Sequence, residues 1–171
     1  EYQGQKCSAA SRVYIPDNLW EEVQEHLIST LQGIKMGSPE NFTHFINAVI
    51  DQKSFEKITQ YIDRVKTSSD AEIIAGGNYE GTKGYFIEPT VILSKNPRYE
   101  TMCEEIFGPV VSIYVYPQDE FEATLTLVDQ SSAYALTGAR FSKARYAIER
   151  ASEVLQYSAG NFYINDKPTG A

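Results

Sequence analysis

Apolar positions in this chain follow two alternating spacings, short extended runs and longer stretches with a return every three or four residues. Arg12 to Ile15 is the first strand-like run, stopped by Pro16. Asp17 or Asn18 is the expected cap of a helix, with Glu21 three residues past Asn18 as a loose capping box. Trp20, Val23, Leu27, Leu31 and Ile34 then keep helical spacing and read as a core stripe, and Gly37 with Pro39 ends the element. Residues 38–48 have no clear period and are expected to form a loop. A second helix is expected from its cap Asp51, with Phe55, Ile58, Ile62 and Val65 on one face and Ser68-Ser69-Asp70 closing it.

The second half repeats the alternation. Glu72 to Ala75 reads as a short strand, and Tyr85 to Ile92 as extended structure in which Pro89 marks an edge or a break. Between them, Gly76-Gly77-Asn78-Tyr79-Glu80-Gly81 invites a phosphate-loop reading, but its spacing fits neither the dinucleotide nor the P-loop fingerprint. It reads as a turn between strands. Val110 to Val115 is a strand, preceded by an acidic turn at Glu104-Glu105 and by Gly108-Pro109, which cannot continue a helix. Asp119 is the expected cap of a helix with Phe121, Leu125 and Val128 inward. A strand from Tyr134 to Phe141, a helix begun by Ser142 with Ala147, Ala151 and Val154 or Leu155 inward, and a last strand over Gly160–Asn165 follow. Strands alternating with helices predict an α/β layered domain with a largely parallel sheet.

Composition narrows the function. The chain has 171 residues, enough for one domain with a sizeable core. Fifteen Lys and Arg stand against 23 Asp and Glu, a formal net charge of −8. That balance gives no basic footprint for nucleic acid. No stretch approaches the roughly 20 apolar residues of a membrane span. The two histidines, His26 and His44, read as helix-surface and loop residues. With two cysteines and no Cys/His cluster at ligand spacing, no metal site is expected.

The candidate chemistry begins at Cys7. The residue follows a glycine turn at Gly4 and precedes the small residues Ser8-Ala9-Ala10-Ser11. These are compatible with the opening of a helix, whose free N–H groups and positive dipole end would favour the thiolate. A thiolate attacks a carbonyl to give a covalent intermediate, and the Cys7 N–H is a candidate donor to the developing oxyanion. The alternative is a buried structural cysteine.

Three segments decide between these readings. Gly4-Gln5-Lys6-Cys7-Ser8-Ala9-Ala10-Ser11-Arg12 resembles the catalytic-cysteine segment of the aldehyde dehydrogenase superfamily. Gly76-Gly77 with Gly84-Tyr85-Phe86-Ile87-Glu88-Pro89-Thr90 resembles one of its structural hallmarks, and Glu105-Ile106-Phe107-Gly108-Pro109 one of its most specific signatures. The likeness is greatest to the pyrroline-5-carboxylate (glutamate semialdehyde) dehydrogenase branch and covers essentially the whole chain. It implies a piece of a longer enzyme, with residues 1–171 forming one domain, part of a catalytic domain. The cofactor-binding Rossmann domain, the oligomerisation flap, the general-base glutamate and the oxyanion asparagine would lie outside the chain.

The same resemblance implies the roles. Cys7 would be the nucleophile. Glu105 would accept hydrogen bonds from the nicotinamide ribose of NAD, and Phe107 would pack against the same end of the cofactor. The ending Asn165-Asp166-Lys167-Pro168-Thr169-Gly170-Ala171 resembles the start of an aldehyde anchor loop. There the backbone N–H groups of Gly170 and Ala171, helped by the Ser8 hydroxyl, would hold the substrate α-carboxylate. Cys103 would have no role. The partners implied are a small-molecule substrate and other copies of the parent in a homo-oligomer. The compartment implied is the mitochondrial matrix, or the cytoplasm for a bacterial source. The other readings are a different substrate within the superfamily, or a non-catalytic assembly domain of the same fold.

Overall fold

A computed structural model describes residues 2–168 of the chain. After a short turn, β1 (Arg12–Pro16) leads directly into α1 (Asp17–Gln32). A loop follows, then α2 (Gln52–Lys66) and the strands β2 (Ala71–Ala75), β3 (Tyr79–Glu80), β4 (Phe86–Ile87) and β5 (Thr90–Ser94). One helical turn, α3 (Glu100–Cys103), precedes β6 (Val110–Tyr116). The chain closes with α4 (Phe121–Gln130), β7 (Thr137–Arg140), α5 (Arg145–Val154) and β8 (Asn161–Ile164).

Four strands form the central sheet in the order β1-β6-β5-β2. The β1–β6 and β6–β5 pairs are parallel, and β2 adds antiparallel at the edge. The sheet is therefore mostly parallel, as the alternation of elements predicts. β7 and β8 form a separate parallel pair, and β3 and β4 a small antiparallel one.

Side-chain alternation along β5 and β6 divides the core. Val91, Ile113 and Ile15 are buried on one face with Trp20, Leu27 and Leu31 of α1. On the other face Ile92 and Val110 meet Ile58, Ile62 and Val65 of α2. Helices on both faces explain why both strands are apolar almost throughout. A third, smaller cluster joins Leu125, Ala151 and Leu155 with the partly buried Phe162.

β1, α2, β2, β6, α4 and β8 lie within a residue or two of their expected bounds, whereas α1 stops at Gln32 and leaves Ile34 outside it, β7 begins only at Thr137, and several caps differ. Asp51 caps α2 as expected, its carboxylate accepting the Ser54 N–H at 2.7 Å. Asp17 does not cap α1. Pro16 precedes that helix, and the Asp17 carboxylate accepts instead from the backbone N–H of Gln118 at 3.1 Å. Asp119 does not cap α4 but lies within a short 3-10 turn, Gln118–Glu120. Ser142 accepts from Ala144 N–H, and α5 begins only at Arg145. The stripe on α1 is also narrower than expected. Val23 is exposed beside Leu19, because α1 covers β1 and β6 at the sheet margin and its outer flank extends past them.

The loop over 38–48 is irregular, as expected, but it is pinned at its base. Phe45 N–H donates to Lys35 O at 2.9 Å and Gly37 N–H to Ile46 O at 3.0 Å. His44 lies in this loop against Ser38 O, and His26 is exposed on α1.

Candidate active site

The Cys7 stretch is a pair of turns, not a helix opening. Tyr2, Gln3 and Gly4 all have positive φ, at 48°, 56° and 67°. Gln5 N–H closes the first turn onto Tyr2 O at 3.0 Å. Ala9 N–H closes the second onto Lys6 O at 2.9 Å, with Cys7 and Ser8 at its centre. By Ser11 the backbone has joined the sheet, since Ser11 O accepts from Ser112 N–H at 2.9 Å. Two residues, Ala10 and Ser11, separate the turn from β1, too few for a helix. The expected helix dipole at the thiol is therefore absent. Cys7 is exposed, which corrects the alternative of a buried structural cysteine, while Ser8 is buried.

Glu105-Ile106-Phe107 forms an arch before β6. Ile106 anchors it in the core at 4% exposure, while Glu105 and Phe107 are exposed on either side. Phe107 has φ of 61°, a left-handed conformation that costs a residue with a Cβ on the order of 1–2 kcal/mol. Such strain persists only where the surroundings enforce it. Here Lys57 of α2 donates from Nζ to Glu105 O at 2.7 Å, so the lysine holds the backbone and leaves the carboxylate open. Among the described residues the Glu105 carboxylate makes no hydrogen bond or ion pair. An open acceptor beside an exposed ring fits one end of a dinucleotide, a ribose diol and its base.

The two segments touch. A Cβ placed on Gly4 would collide with the Gly108 carbonyl oxygen and lie 2.7 Å from its carbon. Only a glycine permits that approach at this φ. Next to them, a cavity of about 480 Å³ opens between α1 and the first residues of β5 and β6. Ser8 and Ala10 line it with Pro109, Phe45, Lys167 and Pro168. The structure thus brings Ser8 together with the end of the described chain. Cys7, Glu105 and Phe107 are not among the residues lining that cavity. Gly170 and Ala171 lie outside the described residues.

The ground around the arch is acidic and aromatic. Arg64 grips Glu100 with two bonds of 2.7 and 2.9 Å, which raises the arginine pKa. Burial, and after it the charges of Glu104 and Glu100, raises the Tyr61 hydroxyl. Cys103 is half-buried, and its carbonyl accepts from the Ser132 hydroxyl at 2.7 Å. Among the described residues no three His, Cys, Asp or Glu stand together as a metal site. No described helix is long and apolar enough to cross a membrane.

Sequence reasoning missed Lys57, Ile58 and the Gly4–Gly108 contact as parts of this site. Nothing local signals them. Lys57 lies 48 positions from Glu105, and on its helix it reads as an ordinary surface charge.

A cysteine turn locked to a Glu-Ile-Phe-Gly-Pro arch on a mostly parallel sheet defines a class, and the aldehyde dehydrogenase family model matches residues 1–171. The chain belongs to that family. It is similar to the mitochondrial delta-1-pyrroline-5-carboxylate dehydrogenase of Dictyostelium discoideum, 55% identical over 171 residues, which are 100% of this chain and 31% of the relative. The human mitochondrial protein of the same name is 48% identical over 172 residues, again 100% of this chain and 31% of the relative. Among solved structures, the Delta-pyrroline-5-carboxylate dehydrogenase from Mycobacterium tuberculosis bound with NAD and cobalamin superposes with a TM-score of 0.92 at 41% identity. That match covers 99% of this chain and 31% of the other. The chain thus spans about a third of the length of the relatives it matches.

Proposed function

We propose that the full-length protein carrying this chain oxidises glutamate semialdehyde to glutamate with NAD, and that Cys7 is the nucleophile. The observation that carries this reading is the exposed Cys7 thiol, three residues past a Gly4 that packs on the Gly108 carbonyl at the end of the Glu105–Phe107 arch. The similarity to pyrroline-5-carboxylate dehydrogenases over the whole chain supports the substrate.

The Cys7 sulfur adds to the aldehyde carbon and the carbonyl electrons move to oxygen, giving a thiohemiacetal. The Cys7 N–H is the donor assigned to that oxygen in this scheme. NAD, held at one end by Glu105 and Phe107, would supply the acceptor for the hydride that leaves the former aldehyde carbon. What remains on Cys7 is a thioester, which water cleaves to the acid and the free thiol. The Glu105 carboxylate would take the two ribose hydroxyls of that cofactor, and the Phe107 ring would pack on the same end. Gly170 and Ala171 N–H groups, with the Ser8 hydroxyl, hold the substrate α-carboxylate. The isolated 171 residues are predicted inactive, since Glu105 and Phe107 meet only one end of the dinucleotide. The protein works as a homo-oligomer in the mitochondrial matrix, or in the cytoplasm for a bacterial source. The mitochondrial names of its eukaryotic relatives support the first compartment.

NAD reduction by the full-length protein tests the reading, with glutamate semialdehyde and a plain aliphatic aldehyde of similar length as substrates. Preference for the semialdehyde by on the order of a hundredfold or more is expected, because an unfilled carboxylate site leaves its donors unpaired. Cys7→Ala should lower kcat by at least about 10³-fold. Equal use of both aldehydes would remove the substrate assignment. Undiminished turnover by Cys7→Ala would remove the nucleophile.

A further inference from the structure

We propose that Gly4 is a positioning residue that couples the Cys7 turn to the Glu105–Phe107 arch, so that thiol reactivity and dinucleotide affinity change together. The inference rests on the roles proposed above for Cys7, Glu105 and Phe107.

The Gly108 carbonyl that Gly4 presses on has nowhere to retreat. Val110 N–H donates to it at 2.7 Å, and the next carbonyl, that of Pro109, accepts from Thr90 N–H at 2.8 Å. The Gly108 Cα abuts Ile58, which is 0% exposed; a Cβ on Gly108 would lie 2.9 Å from Ile58 Cγ1. Two residues back, Ile106 is buried in the core, and Lys57 fixes the Glu105 carbonyl. The part of the arch left to respond is Phe107, exposed and already at φ of 61°. A side chain on Gly4 is therefore relieved in two ways. The Cys7 turn moves away, or the strained Phe107 backbone relaxes. Because the two segments share one contact surface, each movement changes the distance between thiol and arch. Gly4 touches no reacting atom in this scheme; it sets the spacing between groups that do.

The test uses the full-length protein and two readouts that need no turnover. One is the rate of Cys7 alkylation by iodoacetamide, read on the Cys7 peptide. The other is the dissociation constant for NAD. Gly4→Ala is expected to change both by about tenfold or more, since displacements near 1 Å cost that much in positioned sites. Gly33→Ala is the control. Gly33 has φ of −79°, and an added Cβ would lie 3.4 Å from Thr30 O, so both readouts should stay within about twofold. If Gly4→Ala does not fold, Ile58→Val takes its place. It removes the methyl that backs Gly108, an alteration buried cores tolerate at about 1 kcal/mol. Both readouts should again move, by clearly more than the about twofold range of Gly33→Ala. A change in alkylation with unchanged NAD affinity, the reverse, or no change in either, would overturn the proposal. Absence of semialdehyde turnover in the unmutated protein would count against the proposed function instead, because neither readout depends on it.

Discussion

Two glycine turns in this molecule use the same backbone device and differ in what they carry. Gly76 has φ of 72°, and a Cβ on it would collide with the Pro89 carbonyl oxygen just before β5. Gly4 has φ of 67° and presses on the Gly108 carbonyl just before Pro109 and β6. The two segments they press on are joined through Thr90, whose N–H donates to Pro109 O and whose Oγ1 accepts from Gly77 N–H at 3.0 Å. Yet the Gly76 turn carries no nucleophile and leads into a small hairpin. The Gly4 turn is followed at once by a second turn with the exposed Cys7 thiol, and Gly4 abuts the end of an arch in which Phe107 has a left-handed conformation. A left-handed glycine against a proline-flanked carbonyl is thus a way of seating a loop at a sheet end. The chemistry comes from the side chains next to it.

If that contrast is right, damage to the Gly76 turn should cost stability and leave the thiol alone. Gly76→Ala is expected to destabilise by about 3 kcal/mol, from the left-handed φ and the backbone collision together. Urea unfolding would show it, with Cys7 alkylation of the folded protein unaltered. A changed alkylation rate would break the comparison. A smaller loss is expected for Thr90→Val, which leaves the Gly77 N–H and the Glu88 carbonyl without their hydroxyl partner. Unpaired buried groups of this kind cost about 1–3 kcal/mol, measurable in the same unfolding experiment.

The smallest effect concerns the cap of α2, the helix that places Lys57 and Ile58 behind the arch. The Ser54 N–H holds the Asp51 carboxyl below its usual range. A depressed folded value means the stabilisation is present above the unfolded pKa, near 4, and is lost as pH falls through the lower folded value. Asp51→Ala should melt a few degrees below the unaltered protein at neutral pH. The two melting curves should converge below about pH 4, as thermal denaturation across pH would reveal.

What was legible in the sequence was whatever is decided within one turn of chain. Asp51 with Phe55, Ile58, Ile62 and Val65 gave α2 its cap and buried face, because both are set by residues three and four apart. The apolar run at Val110 marked β6, and Glu105-Ile106-Phe107-Gly108-Pro109 marked the arch by its motif. Where distant partners competed, local reading failed. Gln118 took the Asp17 carboxylate away from α1. The sheet drew the Ser11 carbonyl onto the Ser112 N–H and left no room for a helix after Cys7. Val23 follows the helical spacing but falls beyond the sheet margin, which only the strand order reveals. The Gly4–Gly108 contact joins positions more than a hundred residues apart, and neither glycine signals the other.

Acid-quenched mass spectrometry during turnover tests the central claim most directly. The full-length protein would be mixed with NAD and glutamate semialdehyde, quenched, and mapped for acylated peptides. The account predicts an acyl adduct on Cys7 and none on the half-buried Cys103. An adduct on Cys103, or sustained turnover by protein whose Cys7 has been fully alkylated beforehand, would contradict it.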